Sequence, residues 1–187
     1  MSARLIVGTA WAFTATLCVV SAVAHITGLR LNLSASAPAG LWRVVVVDST
    51  IRRGDLVEVC APILPVTLAM RQRGALPPGD CPADLAPLLK PVAAVAGDQV
   101  RVKAGELVAV NGLFLASSMA AANMPSWPDG LYTLPHGAIW LTSSYSVSSF
   151  DSRYFGPVPL THVRGRVVPL IVVGDVSHML TREDYHD

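Results

Sequence analysis

The chain has 187 residues, a length that suits one domain with a real core. Hydrophobic residues make up 52% and charged residues 14%, which is apolar for a soluble protein, and the excess is concentrated near the N-terminus. Net charge is +1, without a basic block or clustered aromatics, so the composition gives no footing for nucleic-acid binding.

From Leu5 to Ala24 no side chain is charged. A run of about 20 apolar residues in helical rise matches the ~30 Å hydrocarbon core of a bilayer. Arg4 before it is consistent with a cytoplasmic N-terminus. This reads as an uncleaved transmembrane anchor over residues 1–28, with an exported domain over 29–187. A cleavable secretory signal competes, because Ala22-Val23-Ala24 is a small-x-small cleavage pattern; against it, the apolar run exceeds the usual ~7–15 residues. Both readings export everything from about Arg30 onward.

Of the three cysteines, Cys18 lies inside the apolar segment and reads as a small hydrophobe. Cys60 and Cys81 bracket a Pro/Arg/Gly-rich stretch, and in an oxidising compartment they read most simply as one disulfide closing a 60–81 insertion. Two unpaired thiols are the alternative, since spacing alone does not give geometry.

The exported part alternates short strands with turn residues. Strands are expected at Arg43–Asp48, Leu56–Cys60, Leu89–Val95, 100–105, Leu107–Val110, Leu131–Leu134, Ala138–Thr142 and Arg166–Val173, with a short helix over Val66–Gln72. Arg53-Gly54-Asp55 and Gly97-Asp98 read as turns, and Asn111-Gly112 as a hairpin, since both residues tolerate positive φ. Fourteen prolines and fourteen glycines punctuate the chain as an all-β domain requires. The tail from Asp175 is polar and is expected to fray.

HExxH, paired Cys-x-x-Cys, phosphate-binding glycine loops and G-x-S-x-G are all missing, so no metal or cofactor is expected. Of five histidines, His25 borders the apolar segment, His178 and His186 lie in the tail, and His136 sits in a Pro-His-Gly turn. Only His162 falls in the domain body, and nothing around it resembles a triad histidine. There are two lysines. Lys103 lies at a polar strand end and reads as solvated. Lys90 lies in LAPLLKPVAAVAG, where burial would lower its pKa and let a neutral amine accept a serine proton. A stem snorkelling along the surface is the alternative. In a period-two strand Lys90 shares a face with Val92 and Ala94. The serine comes from SASAPAGLW, an open, sharply turned stretch; a plain linker leaving the bilayer is its competing reading.

Three ordered segments resemble the signal peptidase superfamily, and most closely the TraF-type conjugative transfer peptidases. They are Ser36-Ala37-Pro38-Ala39-Gly40-Leu41-Trp42, the apolar strand Leu89-Lys90 through Gly97-Asp98, and Ser149-Phe150-Asp151-Ser152-Arg153-Tyr154-Phe155-Gly156. The resemblance implies an all-β fold of the signal peptidase/LexA-like kind behind one N-terminal transmembrane helix. It implies Ser36 as nucleophile, Lys90 as general base, and Ser149 as a hydroxyl orienting the lysine amine. Asp151 and Arg153 match a structural ion pair, and Ser34 a hydroxyl of the oxyanion hole or a loop cap. Two departures stand out: Pro91 replaces the usual basic residue after the lysine and suggests an edge or bulge, and Ser143-Ser144-Tyr145-Ser146 replaces a Gly-Asp-Asn stretch.

The implied activity is peptide cleavage by a Ser-Lys dyad on the periplasmic face of a bacterial inner membrane. The implied partners are an exported precursor, a pilin of a conjugative transfer system, and the transfer machinery itself; cyclisation of the product is a further possibility of the family. The alternatives are a general type I signal peptidase and a catalytically silent envelope assembly protein. A LexA-like self-cleaving regulator fits poorly with an apolar N-terminal segment and no DNA-binding domain.

Overall fold

The structure is a computed structural model and describes residues 3–46 and 50–173, with side chains described for only part of the first helix. That helix, α1 (Ala3–Ile26), spans 24 residues. It forms because the segment holds no proline, and hydroxyls that would compete for the backbone are turned back onto it: Thr16 Oγ1 donates to Ala12 O and Thr27 Oγ1 to Val23 O. Among the described residues no helix is long and apolar enough to cross a membrane.

Next come β1 (Leu29–Asn32), β2 (Ala39–Val45), β3 (Leu56–Val59), α2 (Pro65–Gln72), β4 (Pro78–Cys81) and β5 (Leu88–Ala94). They are followed by β6 (Gln99–Val102), β7 (Ala109–Val110), β8 (Leu113–Phe114), β9 (Gly130–Thr133) and β10 (Ala138–Leu141). α3 (Ser152–Phe155), β11 (Val158–Pro159) and β12 (Val163–Val173) complete the described chain. A seven-stranded antiparallel sheet has the order β1-β2-β12-β3-β5-β10-β11, and a four-stranded one the order β8-β7-β6-β9. The expected all-β domain is therefore what forms after α1.

The SASAPAGLW stretch that could have been a plain linker joins two paired strands and holds the start of β2, with β1 just before it, in register from Leu29↔Arg43 to Asn32↔Gly40. β2 starts at Ala39 rather than Arg43, because Gly40 admits β12: a Cβ there would lie 2.2 Å from Ile171 O. Asp48 and the polar tail with His178 and His186 fall outside the described residues. Pro91 lies inside the sheet, and the expected bulge is next to it, where the β5–β10 ladder shifts register between Trp140 and Leu141. Asn111 and Gly112, at φ 50° and 88°, make the tight β7–β8 turn.

Buried apolar side chains from alternate strand positions fill three clusters. Val57, Val59, Val92, Ile139, Leu141 and Phe155 centre the largest, Val100, Val110 and Trp140 the core of the small sheet, and Trp42, Leu56 and Val167 the layer under β2. Arg53, from the first turn motif, and Asn111 both donate to the Asp98 carboxylate, as does the Val95 N–H. Burial opposes ionisation of Asp98, but these donors outweigh it and hold its pKa below the ordinary carboxylate value. The Arg-Gly-Asp and Gly-Asp turns thus lock the two sheets together, away from the serine loop.

Candidate active site

Ser36 sits in the loop between β1 and β2, and one buried side chain shapes that loop. The Asn32 amide reaches the carbonyls of Ser34, Ala37 and Pro38 at 3.2, 2.9 and 3.1 Å, while its Oδ1 accepts from the Ser34 N–H at 3.1 Å. Trp42 Nε1 donates to Pro38 O as well. Pro38 and the fully buried Trp42 thus fix the base of the loop, leaving Ser36 half-buried at its turn.

Across from it, β5 delivers Lys90. Its amine donates to Ser36 Oγ at 2.6 Å and to Ser149 Oγ at 2.8 Å. Lys90 is only 4% exposed and shares its strand face with the fully buried Val92. Burial, the dominant cause, lowers its pKa from 10.5 to about 8, while the charge of Asp151 pulls it back up and that of Arg153 pushes it down. The snorkelling alternative for this lysine is thereby set aside.

The third segment supplies the frame. Asp151 and Arg153 are both fully buried and pair through two contacts, 2.8 Å at Nε and 2.9 Å at Nη2. A buried pair survives only when its remaining donors and acceptors are satisfied. Arg153 does so by donating to the carbonyls of Ser117, Met119, Val147 and Ser149, the last at 2.7 Å. Asp151 also accepts from the Ser143 N–H at 3.1 Å. The motif glycine Gly156 adopts φ 73° and lies under Trp127, whose ring a Cβ would meet at 2.6 Å.

A groove of about 460 Å³ opens onto the pair. β1 and its loop form one wall, including Ser34 and Ser36; Met70, Ala75, Leu76 and Pro77 of the insertion form another, with Lys90 between them. Cys60 and Cys81 are disulfide-bonded, with Cα atoms 5.5 Å apart, so the insertion is closed as one of the two readings expected. Arg164 pairs with Asp80, next to Cys81, and so holds the same closed end.

Not every candidate converges. Ser34 lines the groove, but its hydroxyl donates to Asn32 Oδ1 at 2.7 Å, the bond of a loop cap. His162 contacts the Cys60 carbonyl through Nδ1, and Lys103 is an exposed partner of Glu106. Among the described residues no cluster of His, Cys, Asp or Glu is placed to hold a metal. Sequence reading missed two residues. Asn32 carried no motif signal, and Ser143, whose hydroxyl donates to Ser36 O at 2.7 Å, was visible only as a departure from the family pattern.

A serine hydroxyl against a buried, pKa-lowered lysine on an antiparallel scaffold places the chain in a class, that of the β-fold peptidases. The family comparison makes it definite: residues 2–172 match signal peptidase, peptidase S26, and the chain belongs to that family. Among similar proteins, the probable conjugal transfer protein TraF of Sinorhizobium fredii is 42% identical over 142 residues, 74% of each chain. The conjugal transfer protein TraF of Agrobacterium tumefaciens is 40% identical over 144 residues, 75% of this chain and 80% of its own. A signal peptidase I from Enterococcus faecalis aligns at TM-score 0.38 and 18% identity, over 63% of this chain and 97% of its own; likeness at that level adds nothing to the assignment.

Proposed function

We propose that the chain is a membrane-anchored serine endopeptidase that cuts an exported precursor for a conjugative transfer system, using Ser36 and Lys90. The observation that carries this reading is the 2.6 Å contact between Lys90 Nζ and Ser36 Oγ in a buried setting that lowers the amine to about 8. A neutral amine takes the Ser36 proton as Oγ attacks a substrate carbonyl. Among the described residues nothing accepts from the Ser36 N–H, which leaves it available to the oxyanion; one such donor is worth about 3 kcal/mol. Ser34 would join it only by turning its hydroxyl away from Asn32. The tetrahedral species expels the amine, protonated by the Lys90 ammonium, and leaves an acyl-enzyme on Ser36. Water then resolves the ester, or the substrate's own amino group does so and cyclises the product.

An extended substrate suits the groove. Pro91 O points from β5 toward β10 and accepts from Thr142 N, and two residues earlier the Leu89 backbone faces the same side, where among the described residues no strand pairs with it. The conjugative assignment is supported by the relatives' names, which are those of conjugal transfer proteins; a pilin precursor as substrate is what the resemblance of the ordered motifs implies. Support for the membrane anchor comes from the sequence of α1, whose run from Leu5 to Ala24 carries no charged side chain. Its described apolar side chains also stand uncovered, with Trp11 72% and Phe13 73% exposed. The remainder would then lie in the periplasm.

Ser36→Ala and Lys90→Ala are each expected to abolish processing of a cognate precursor while the protein stays folded in the membrane fraction. Near-normal processing by either variant overturns the dyad. The family also contains general signal peptidases; complementation of a strain depleted of its own signal peptidase separates the two roles, and failure is expected.

A further inference from the structure

Ser143 stands at the end of β10, fully buried, with both of its polar groups committed. Its N–H donates to Asp151 Oδ2 at 3.1 Å, and its hydroxyl donates to the carbonyl of Ser36 at 2.7 Å. The Tyr145 N–H donates back to the Ser143 Oγ at 3.2 Å, so the hydroxyl proton has one place left to go, the Ser36 carbonyl. Both carboxylate oxygens of Asp151 accept from Arg153, and Arg153 donates to the Ser149 carbonyl at 2.7 Å. One buried ion pair therefore reaches both halves of the site, Ser149 and the lysine amine on one side and the Ser36 backbone on the other.

We infer that Ser143 is a positioning residue, which clamps the Ser36 peptide so that the nucleophile stays on the Lys90 amine. The reason is local. The β1–β2 loop is held from its own side by Asn32, which bonds to Ser34, Ala37 and Pro38 but not to Ser36. Among the described residues, the Ser36 carbonyl is tied from across the site, by Ser143. Without that tie the Ser36 peptide can tilt about its neighbours, carrying the Oγ off the amine and turning the N–H away from a developing oxyanion. Lys90 itself touches Ser36 and Ser149, not Ser143, so its titration is set elsewhere.

This inference rests on the proposed Ser36–Lys90 chemistry, and the experiment separates the two. Ser143→Thr keeps the hydroxyl, and Ser143→Val has nearly the same shape without it. Full-length variants in detergent are assayed on a fluorogenic peptide with small residues before the cut, alongside Ser36→Ala. Ser143→Val is expected to lose about 10–100-fold in kcat, the scale of a misplaced reacting group. Its KM and the pH midpoint of its profile should stay unchanged, while Ser143→Thr stays within a few-fold of the parent. Equal kcat for the Val and Thr variants overturns the clamp and leaves the dyad standing. Turnover by Ser36→Ala overturns the dyad, and the clamp with it. A shift of the pH midpoint in Ser143→Val also overturns the clamp, since it would mean that Ser143 acts through the lysine.

Discussion

A lysine that titrates near 8 is mostly an ammonium at neutral pH, and this sets how the site responds to pH. Because Lys90 is pushed down to about 8, roughly one molecule in ten holds the free base at pH 7. In the proposed mechanism the neutral amine is the base, so kcat/KM should climb about tenfold per pH unit below 8 and level off above it. A profile measured on the full chain that falls through this range, or stays flat, would contradict the general-base role. Ser36, Lys90 and Ser149 were legible as residues because each sits in a compact motif. Asn32 and Ser143 were not, since their partners are backbone carbonyls, and a carbonyl offers no residue type to recognise. Ser143 is worse placed still, because the carbonyl it holds belongs to a segment remote in the chain.

Elements bring these residues to one place. The β1–β2 hairpin presents Ser36, β5 presents Lys90, and the segment from β10 to α3 supplies the frame beneath both. The insertion contributes a wall of the groove through Met70, Ala75, Leu76 and Pro77, and its closure by Cys60 and Cys81 has a measurable consequence. Replacing both cysteines with serine should lower unfolding stability by about 3 kcal/mol, the usual scale for a loop of this size. It should also raise KM more than it lowers kcat, because the wall loosens while Ser36 and Lys90 are held by other bonds. A variant with unchanged KM would mean the wall does not contact substrate. Most strands could be read from alternation and turn residues. β1 and β4 could not: β1 follows directly on the apolar segment, and Pro78-Gly79-Asp80-Cys81 has no alternating pattern and pairs through bridges to Leu85.

For the whole molecule, the arrangement puts the groove close to the end of α1. β1 follows α1 within a few residues, and its Arg30 and Asn32 line the groove together with Ser36. If α1 is an anchor, the site works near the bilayer surface, where the cleavage site of a precursor would emerge. The full chain should then remain in the membrane pellet after an alkaline carbonate wash; release into the supernatant would count against anchoring. The charged face beside this entrance is internally neutralised, with Arg30 held by Glu58 at 2.6 Å and Arg164 paired with Asp80, so it offers little unpaired charge to an incoming peptide.

By itself the sequence determined the chemistry that was possible: a serine in an open turn, one lysine in apolar surroundings, an ion pair in a compact motif, and an apolar N-terminal run. Those are properties of residue types and short spacings, and they are written locally. Only the tertiary structure decided that Lys90 is desolvated rather than snorkelling, that Ser34 is bonded to Asn32, and that Ser143 holds the Ser36 carbonyl. Each of those depends on which distant strands lie side by side, because burial and hydrogen-bond geometry arise between segments and not within them.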